Sequence, residues 1–234
     1  MSQYEAKEKC RVKQRIMSSV KQLMPLGWLL TVMACSYVYG LTNGIARPLH
    51  TMETWVDRII PFNEYFIIPY IIWGPCIFLS FAFFFFKNRD AYYRMIICSV
   101  LGHIVCYAFY MTYQTYVPRP FITDDTIFLK LVNYIYSNDQ PVNCFPSIHV
   151  LTTYMMMRAF HWEKLSKWFA WIPQFIGVSI ILSTVFVKQH VVIDVAGGIV
   201  LGEAMILLVY HPAFGKQLFS LRSRKYEKSR QLQA

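Results

Sequence analysis

Long apolar stretches separated by short polar ones set the rhythm of this chain. Tyr65–Phe86, Met95–Pro118 and Trp168–Val187 contain no Asp, Glu, Lys or Arg. Each is long enough to cross a hydrocarbon core as a helix, which takes about 20 residues. Three less uniform stretches complete the pattern. Leu26–Ala46 is diluted by Thr31, Ser36, Thr42 and Asn43, Ser147–Phe160 is short and carries Arg158 near its end, and Val191–Tyr210 is apolar almost throughout. The pattern predicts an all-α polytopic bundle of six transmembrane helices: Leu26–Ala46, Tyr65–Phe86, Met95–Tyr116, Ser147–Phe160, Trp168–Val187 and Val191–Tyr210. These make one domain over residues 1–234, with basic arms at about 1–21 and 215–234. Between the third and fourth spans, Ile127, Phe128, Leu131, Val132 and Ile135 recur at helical spacing. They predict a short amphipathic helix in the interface that walls a headgroup site; a packed re-entrant loop fits the same residues.

Composition agrees with this pattern. Of the 234 residues, 56% are hydrophobic and 15% charged, against about 25% charged in a soluble domain. Basic residues fall unevenly: 18 of the 23 Lys and Arg lie in the two arms and at the second–third and fourth–fifth connections. The bias places both termini in the cytoplasm. The net charge of +10 is then mostly a topological signal, strengthened by attraction to anionic headgroups. It gives no reason to expect a nucleic acid, and the partners expected are the bilayer and a lipid substrate. No small-residue cleavage site follows the first apolar run, so the N-terminal segment is expected to be retained. Of six cysteines, Cys144 alone falls on the external side, which rules out an intrachain disulfide framework there. Small size and short external loops fit a bacterial plasma membrane. The oligomeric state is left open.

Once the topology is set, the polar clusters at the span edges converge. Arg119, Ser147, His149, His190 and Asp194 all fall on the external face. Pro146 suits the first turn of a helix, where its missing N–H costs nothing. Ser147 and the first-turn amides that follow offer an anion cradle, although an ordinary helix cap accounts for Pro-Ser equally well. Arg119 supplies a permanent charge suited to phosphate oxygens. His190 and Asp194, four apart, share a helical face, where a carboxylate on one ring nitrogen makes the other a better nucleophile. His149 offers a general acid to a leaving alkoxide.

In this arrangement the chain resembles the type 2 phosphatidic acid phosphatase superfamily, whose motifs read Lys-x6-Arg-Pro, Pro-Ser-Gly-His and Ser-Arg-x5-His-x3-Asp. Here they stand as Arg119-Pro120, Pro146-Ser147-x-His149 and Ser183-x6-His190-x3-Asp194, with eight of eleven motif positions matching. The resemblance implies that His190 attacks phosphorus to form a phosphohistidine, that Asp194 orients it and that His149 protonates the leaving lipid oxygen. Arg119, Ser147 and Ser183 would hold the phosphoryl group of a lipid phosphate. No cofactor and no metal are implied, and Asp124-Asp125, the one adjacent carboxylate pair, has no histidine beside it.

Three departures fall within the motifs. Thr112 and Thr184 stand where the superfamily has lysine and arginine, and Ile148 replaces its glycine; Lys188 is a candidate for the lost charge. Loss of the arginine is similar to the branch of inositol phosphorylceramide and sphingomyelin synthases, which pass a phospho-headgroup to an alcohol. Phosphatase and inositolphosphotransferase-like readings therefore both stand. A vanadate-type haloperoxidase, a lipid scramblase or transporter and an inactive family member are the other readings. Within the spans, Arg158 and Glu203 lie at similar depth and are expected to pair. His103 is expected to bond between helices. Cys144 is not expected to be a nucleophile.

Overall fold

The computed structural model describes residues 22–44, 48–123, 125–163 and 167–211. The basic arms expected at 1–21 and 215–234 lie outside them, as do Cys10, Asp124 and the last residues of the first expected span. A 3-10 turn, Met24–Trp28, leads into α1 (Leu29–Thr42). A strand β1 (His50–Thr51) and a single-turn helix α2 (Trp55–Ile59) follow. The next apolar run enters through Glu64–Phe66 and splits into α3 (Ile67–Ile71) and α4 (Trp73–Lys87). Pro75 explains the break, because it has no N–H to give the Ile71 carbonyl. Next come α5 (Arg89–Thr112), β2 (Thr115–Tyr116), α6 (Ile127–Asn138), α7 (Ile148–Trp162), α8 (Lys167–Phe186) and α9 (Val192–Tyr210).

Five of the six expected spans coincide with helices long and apolar enough to cross a membrane among the described residues: Met24–Thr42, Glu64–Lys87, Arg89–Thr112, Phe169–Phe186 and Val192–Tyr210. The third begins and ends earlier than expected. Asn88 caps it by accepting the Ala91 N–H at 3.2 Å, and the chain leaves the helix at Tyr113 to form β2. The fourth, expected over Ser147–Phe160, is the helix Ile148–Trp162 and is not among those five. α7 has 15 residues, about 22 Å at 1.5 Å per residue, short of the roughly 30 Å core. It is also the central helix, packed by α4, α5, α8 and α9, so few of its side chains need to be lipophilic. It nonetheless ends level with α9, since Trp162 at its end packs against Tyr210 at the end of α9, with ring centroids 4.7 Å apart and planes tilted by 52°.

Small residues let α7 and α9 approach closely, as helices do where no solvent drives their association. A Cβ added to Gly198 would stand 2.8 Å from the Ser147 carbonyl oxygen, and one on Gly202 would stand 3.0 Å from the Tyr154 ring. Asp194, Gly198 and Gly202 form one i, i+4, i+8 stripe facing α7. Deeper in, Arg158 and Glu203 pair as expected: Arg158 Nε and Nη2 donate to the two carboxylate oxygens at 3.0 Å each, and the Tyr154 hydroxyl donates to Glu203 at 2.8 Å. His103 departs from expectation. Its Nδ1 lies 2.7 Å from the Ser99 carbonyl of its own helix, a bond within α5 instead of between helices.

The amphipathic segment is a helix, α6. Its apolar face, including Phe128, Leu131 and Val132, covers Ile67 and Tyr70 on α3 and Val187 after α8. At the same end, β1 pairs in parallel with β2, and Tyr116 bridges to Val142. That end collects the C-termini of α1, α5 and α8 and the N-termini of α4, α7 and α9.

Replacing Gly198 with alanine forces a methyl against a backbone carbonyl that cannot rotate away. We expect Gly198→Ala to lower stability in detergent by about 1–3 kcal/mol and Gly40→Ala, where nothing lies within 4 Å, to be near neutral. Thermal unfolding of the two variants side by side measures the difference.

Candidate functional site

The loop before α7 is fixed from several directions. Asn143 takes a left-handed backbone conformation with φ of 60°, which asparagine tolerates better than most residues. Its amide nitrogen donates to the Thr42 carbonyl at 2.8 Å and its oxygen accepts from Gln114 at 2.9 Å. The Thr115 hydroxyl accepts the N–H groups of Cys144 and Phe145 at 3.2 and 2.8 Å. The Tyr110 hydroxyl donates to the Pro146 carbonyl at 2.7 Å. Ser147, fully buried, then starts the helix: its hydroxyl accepts the Val150 N–H at 3.3 Å, and its own N–H donates to the Asp194 carbonyl at 3.2 Å. Ser147 therefore stands as a helix cap that also ties α7 to α9.

The turn between α8 and α9 is as tightly specified. The Thr184 carbonyl accepts the N–H groups of both Gln189 and His190, at 2.9 and 3.0 Å. Lys188 lies between, at a positive φ of 52°, which sends its side chain away. Its ammonium donates to the carbonyls of Asp57 and Ile60 at 2.9 and 2.5 Å. Asp57, itself buried, accepts the Val192 N–H at 2.7 Å. Asp194 sits three residues into the first turn of α9, where an acid is favoured by the helix dipole. Its Oδ2 accepts the Val191 N–H at 2.9 Å and stands 3.4 Å from His190 Nδ1.

His149 faces this pair from the first turn of α7. Its ring packs on Tyr70 and Trp73 at centroid distances of 4.9 and 4.1 Å, and the His190 ring centroid is 5.7 Å away. Trp73 is held in place by donating its N–H to Thr152 at 2.9 Å. Arg119 approaches from the other side. Its guanidinium donates to the carbonyls of Tyr136 and Asp139, at 3.2 and 2.7 Å, and to Gln189 Oε1 at 2.7 Å. It also lies 4.3 Å over the Tyr136 ring. The end of α6 thus anchors the arginine, which is how that helix walls the site.

Two clefts meet here, and His190 alone lines both. One, of about 360 Å³, is lined mostly by apolar and aromatic groups, among them Tyr39, Tyr70, Trp73 and Tyr110, with His149 and Asp139. The other, of about 500 Å³, carries Arg58, Arg119 and Lys188 against Glu53 and Asp57. Buried polar side-chain atoms are nearly always hydrogen-bonded, yet six among the described residues have no partner. Four of them cluster here: Arg119 Nε, Gln189 Nε2, His190 Nδ1 and Asp194 Oδ1. Because a guanidinium only donates, its bond to Gln189 fixes the amide oxygen toward Arg119 and leaves the NH₂ free. Two unpaired donors are therefore offered by Arg119, which shares the basic cleft with His190, and by Gln189, the residue before it, and donors of this kind are what an oxyanion would need.

The structure brings together Arg119, His149, His190 and Asp194, with Ser147 beneath them as a cap. Lys188 lines the basic cleft, although its ammonium is already engaged by two carbonyls. Ser183 stays apart: buried, lining neither cleft, its hydroxyl donates to the Ile180 carbonyl at 2.6 Å. Thr112 is exposed and bonds within its own helix. Gln189, Asp57 and Arg58 were not singled out from the sequence. Gln189 had one available signal, its place beside His190; Asp57 and Arg58 come from a distant short helix that no spacing rule connects to the site.

A family model described as the PAP2 superfamily matches residues 76–217, a stretch that contains every motif residue named above. No curated relative and no solved structure matches the chain.

Removing the Thr115 hydroxyl would strand two buried N–H groups at the start of the Ser147 loop. We expect Thr115→Val to cost about 2–4 kcal/mol, while Thr112→Val, on the exposed surface, costs almost nothing. Chemical or thermal unfolding of the pair in detergent reads this out.

Proposed function

Since the chain belongs to the PAP2 superfamily, we propose that it is an integral membrane enzyme that removes or transfers the phosphoryl group of a lipid phosphate through a phosphohistidine at His190. The observation that carries this reading is the position of His190, whose Nδ1 stands 3.4 Å from Asp194 Oδ2, in one cleft with Arg119 and with the His149 ring 5.7 Å away. In this mechanism the Nε2 lone pair of His190 attacks phosphorus. The bond from phosphorus to the lipid oxygen breaks, and the leaving alkoxide takes a proton from His149. A water or alcohol then gives its proton to His149 and attacks the phosphohistidine, returning His190. Phosphoryl transfer of this kind is mostly positioning and charge stabilisation, here assigned to Arg119 and Gln189.

The substrate enters with its phosphate toward the basic cleft and its apolar part toward the aromatic one. Transfer to a lipid alcohol instead of water is the second form of the reading, favoured by the apolar lining on the His149 side and by Thr184 at the arginine position. An inositol-type headgroup transfer belongs to this form. The reading further takes α7 as a sixth crossing, places both termini in the cytoplasm and the site at the outer face of a bacterial plasma membrane, and needs no metal for turnover. Orientation rests on the uneven distribution of Lys and Arg.

The test is turnover by the detergent-purified protein on a panel of lipid phosphates, with free phosphate and new headgroup lipids followed by mass spectrometry. We expect His190→Ala to lose more than about 10³-fold and Gln189→Ala about 10²-fold in kcat. Labelled phosphate should be trapped on wild type and not on His190→Ala. An alanine variant as active as wild type would remove the phosphohistidine reading, and the product identifies the acceptor.

A further inference from the structure

Cys144 takes no part in the reaction above. Yet its Sγ, a ring nitrogen of His190 and a carboxylate oxygen of Asp194 all lie within 4.8 Å of one another. We propose that these three residues form an inhibitory site for a thiophilic divalent cation of the Zn²⁺ class. All three side chains are buried, at 3, 8 and 0% exposure. Two buried atoms of these residues, His190 Nδ1 and Asp194 Oδ1, have no hydrogen-bond partner, so lone pairs on this pair are available to an ion. Donors around a tetrahedral zinc, at bond lengths near 2.0–2.3 Å, are about 3.5 Å apart. His190 Nδ1 and Asp194 Oδ2 are already 3.4 Å apart, and the sulfur closes the triad with a shift on the order of 1 Å. One thiolate, one carboxylate and one neutral imidazole balance a divalent charge, and the fourth position stays open, as in sites that bind water or substrate.

The donor set also decides which cation is taken. Mg²⁺ and Ca²⁺ seek six or more oxygen ligands, and a buried Cys-His-Asp triad offers one or two. Thiolate and imidazole favour zinc and its neighbours. The thiolate and not the thiol is the ligand, so ion binding displaces the Cys144 proton. The basic cleft meets the triad at His190, which lines it. Glu53 and Asp57 there offset Arg119, whose charge is turned to the carbonyls of Tyr136 and Asp139.

The chemistry of inhibition follows from the ring. On binding, metal–sulfur, metal–nitrogen and metal–oxygen bonds form, the Cys144 proton passes to solvent and no electron is transferred. A metal on Nδ1 holds the imidazole in its Nε2–H tautomer, so Nε2 has no lone pair with which to attack phosphorus. Binding itself stands apart from the proposed reaction; only the inhibition rests on it.

Titration of the detergent-purified protein with Co²⁺ tests the site directly. Wild type should develop tetrahedral visible bands and a near-ultraviolet thiolate-to-cobalt band, both lost on adding Zn²⁺. Cys144→Ser should remove the near-ultraviolet band. His190→Ala should weaken or abolish it too, and serves as the test if the cysteine variant does not fold. In turnover assays Zn²⁺ should inhibit, a chelator should restore activity and Mg²⁺ should do nothing. In Cys144→Ala the Zn²⁺ concentration for half-inhibition should rise about tenfold or more. No thiolate band in wild type, a band unchanged in both variants, or equal zinc sensitivity with and without the thiol would each overturn the proposal. A thiolate band in a protein that turns over no lipid phosphate would uphold the site and remove the catalytic reading instead.

Discussion

One hydrogen bond orders the whole site: the Ser147 N–H to the Asp194 carbonyl, 3.2 Å. It joins the first turn of α7 to the first turn of α9, two helices whose other polar ties, from Tyr154 and Arg158 to Glu203, lie deeper in the bundle. The contact exists because Gly198 has no side chain to stand between them; any Cβ there would intrude on the Ser147 carbonyl at 2.8 Å. With the two helix ends locked at this distance, His149 two residues into one and His190 two residues before the other are brought to a centroid separation of 5.7 Å. The histidines need no direct bond of their own. Their spacing is inherited from backbone, and backbone in an apolar bundle is held rigidly because no water competes for its groups.

The sequence made much of this legible, for reasons that differ by residue. The spans announce themselves because a bilayer tolerates few charges across about 20 residues, and α6 because its apolar positions repeat every three or four. Arg119, His149, His190 and Asp194 stand out as polar residues at the edges of such spans, with a spacing that a family shares. The pairing of Arg158 with Glu203 could be inferred from depth alone. The bounds of α7 were legible, Ser147–Phe160 against Ile148–Trp162, because Pro146 and Ser147 mark its start; a central helix is shielded by its neighbours, however, so hydropathy does not mark it as a span. The ends of α5 were missed because the cap at Asn88 and the exit into β2 depend on local bonds, and periodicity does not record them. His103 was placed correctly in depth and wrongly in partner, since a buried imidazole finds its own helix's carbonyl as easily as a neighbour's.

The roles of the basic residues show a further limit of reading by motif. Thr112 is exposed, and Thr184 is buried with its hydroxyl bonded to its own helix, so neither position carries charge in this chain. Lys188, the nearest substitute by sequence, commits its ammonium to the carbonyls of Asp57 and Ile60. It works as a strut that fixes the α8–α9 turn to the short helix α2. Arg58, on that same helix, lines the cleft instead. Part of the charge in the cleft of this chain thus comes from a connecting segment, which the motif positions do not record.

The unpaired atoms connect these points. A polar group without a partner is strongly destabilising in a membrane bundle, and among the described residues most such side-chain atoms stand in one place: Arg119 Nε, Gln189 Nε2, His190 Nδ1 and Asp194 Oδ1. They divide by chemistry. The two donors, on the arginine and the glutamine, await acceptor oxygens. The ring nitrogen and the carboxylate oxygen belong to the two residues that lie with Cys144 within 4.8 Å. A single anion cannot satisfy both sets, because a carboxylate offers only lone pairs where an anion needs protons. On the two proposals, the same cluster would take an anion on the Arg119 side and a cation on the Cys144 side, with His190 between them as the residue that only one of the two can engage at a time.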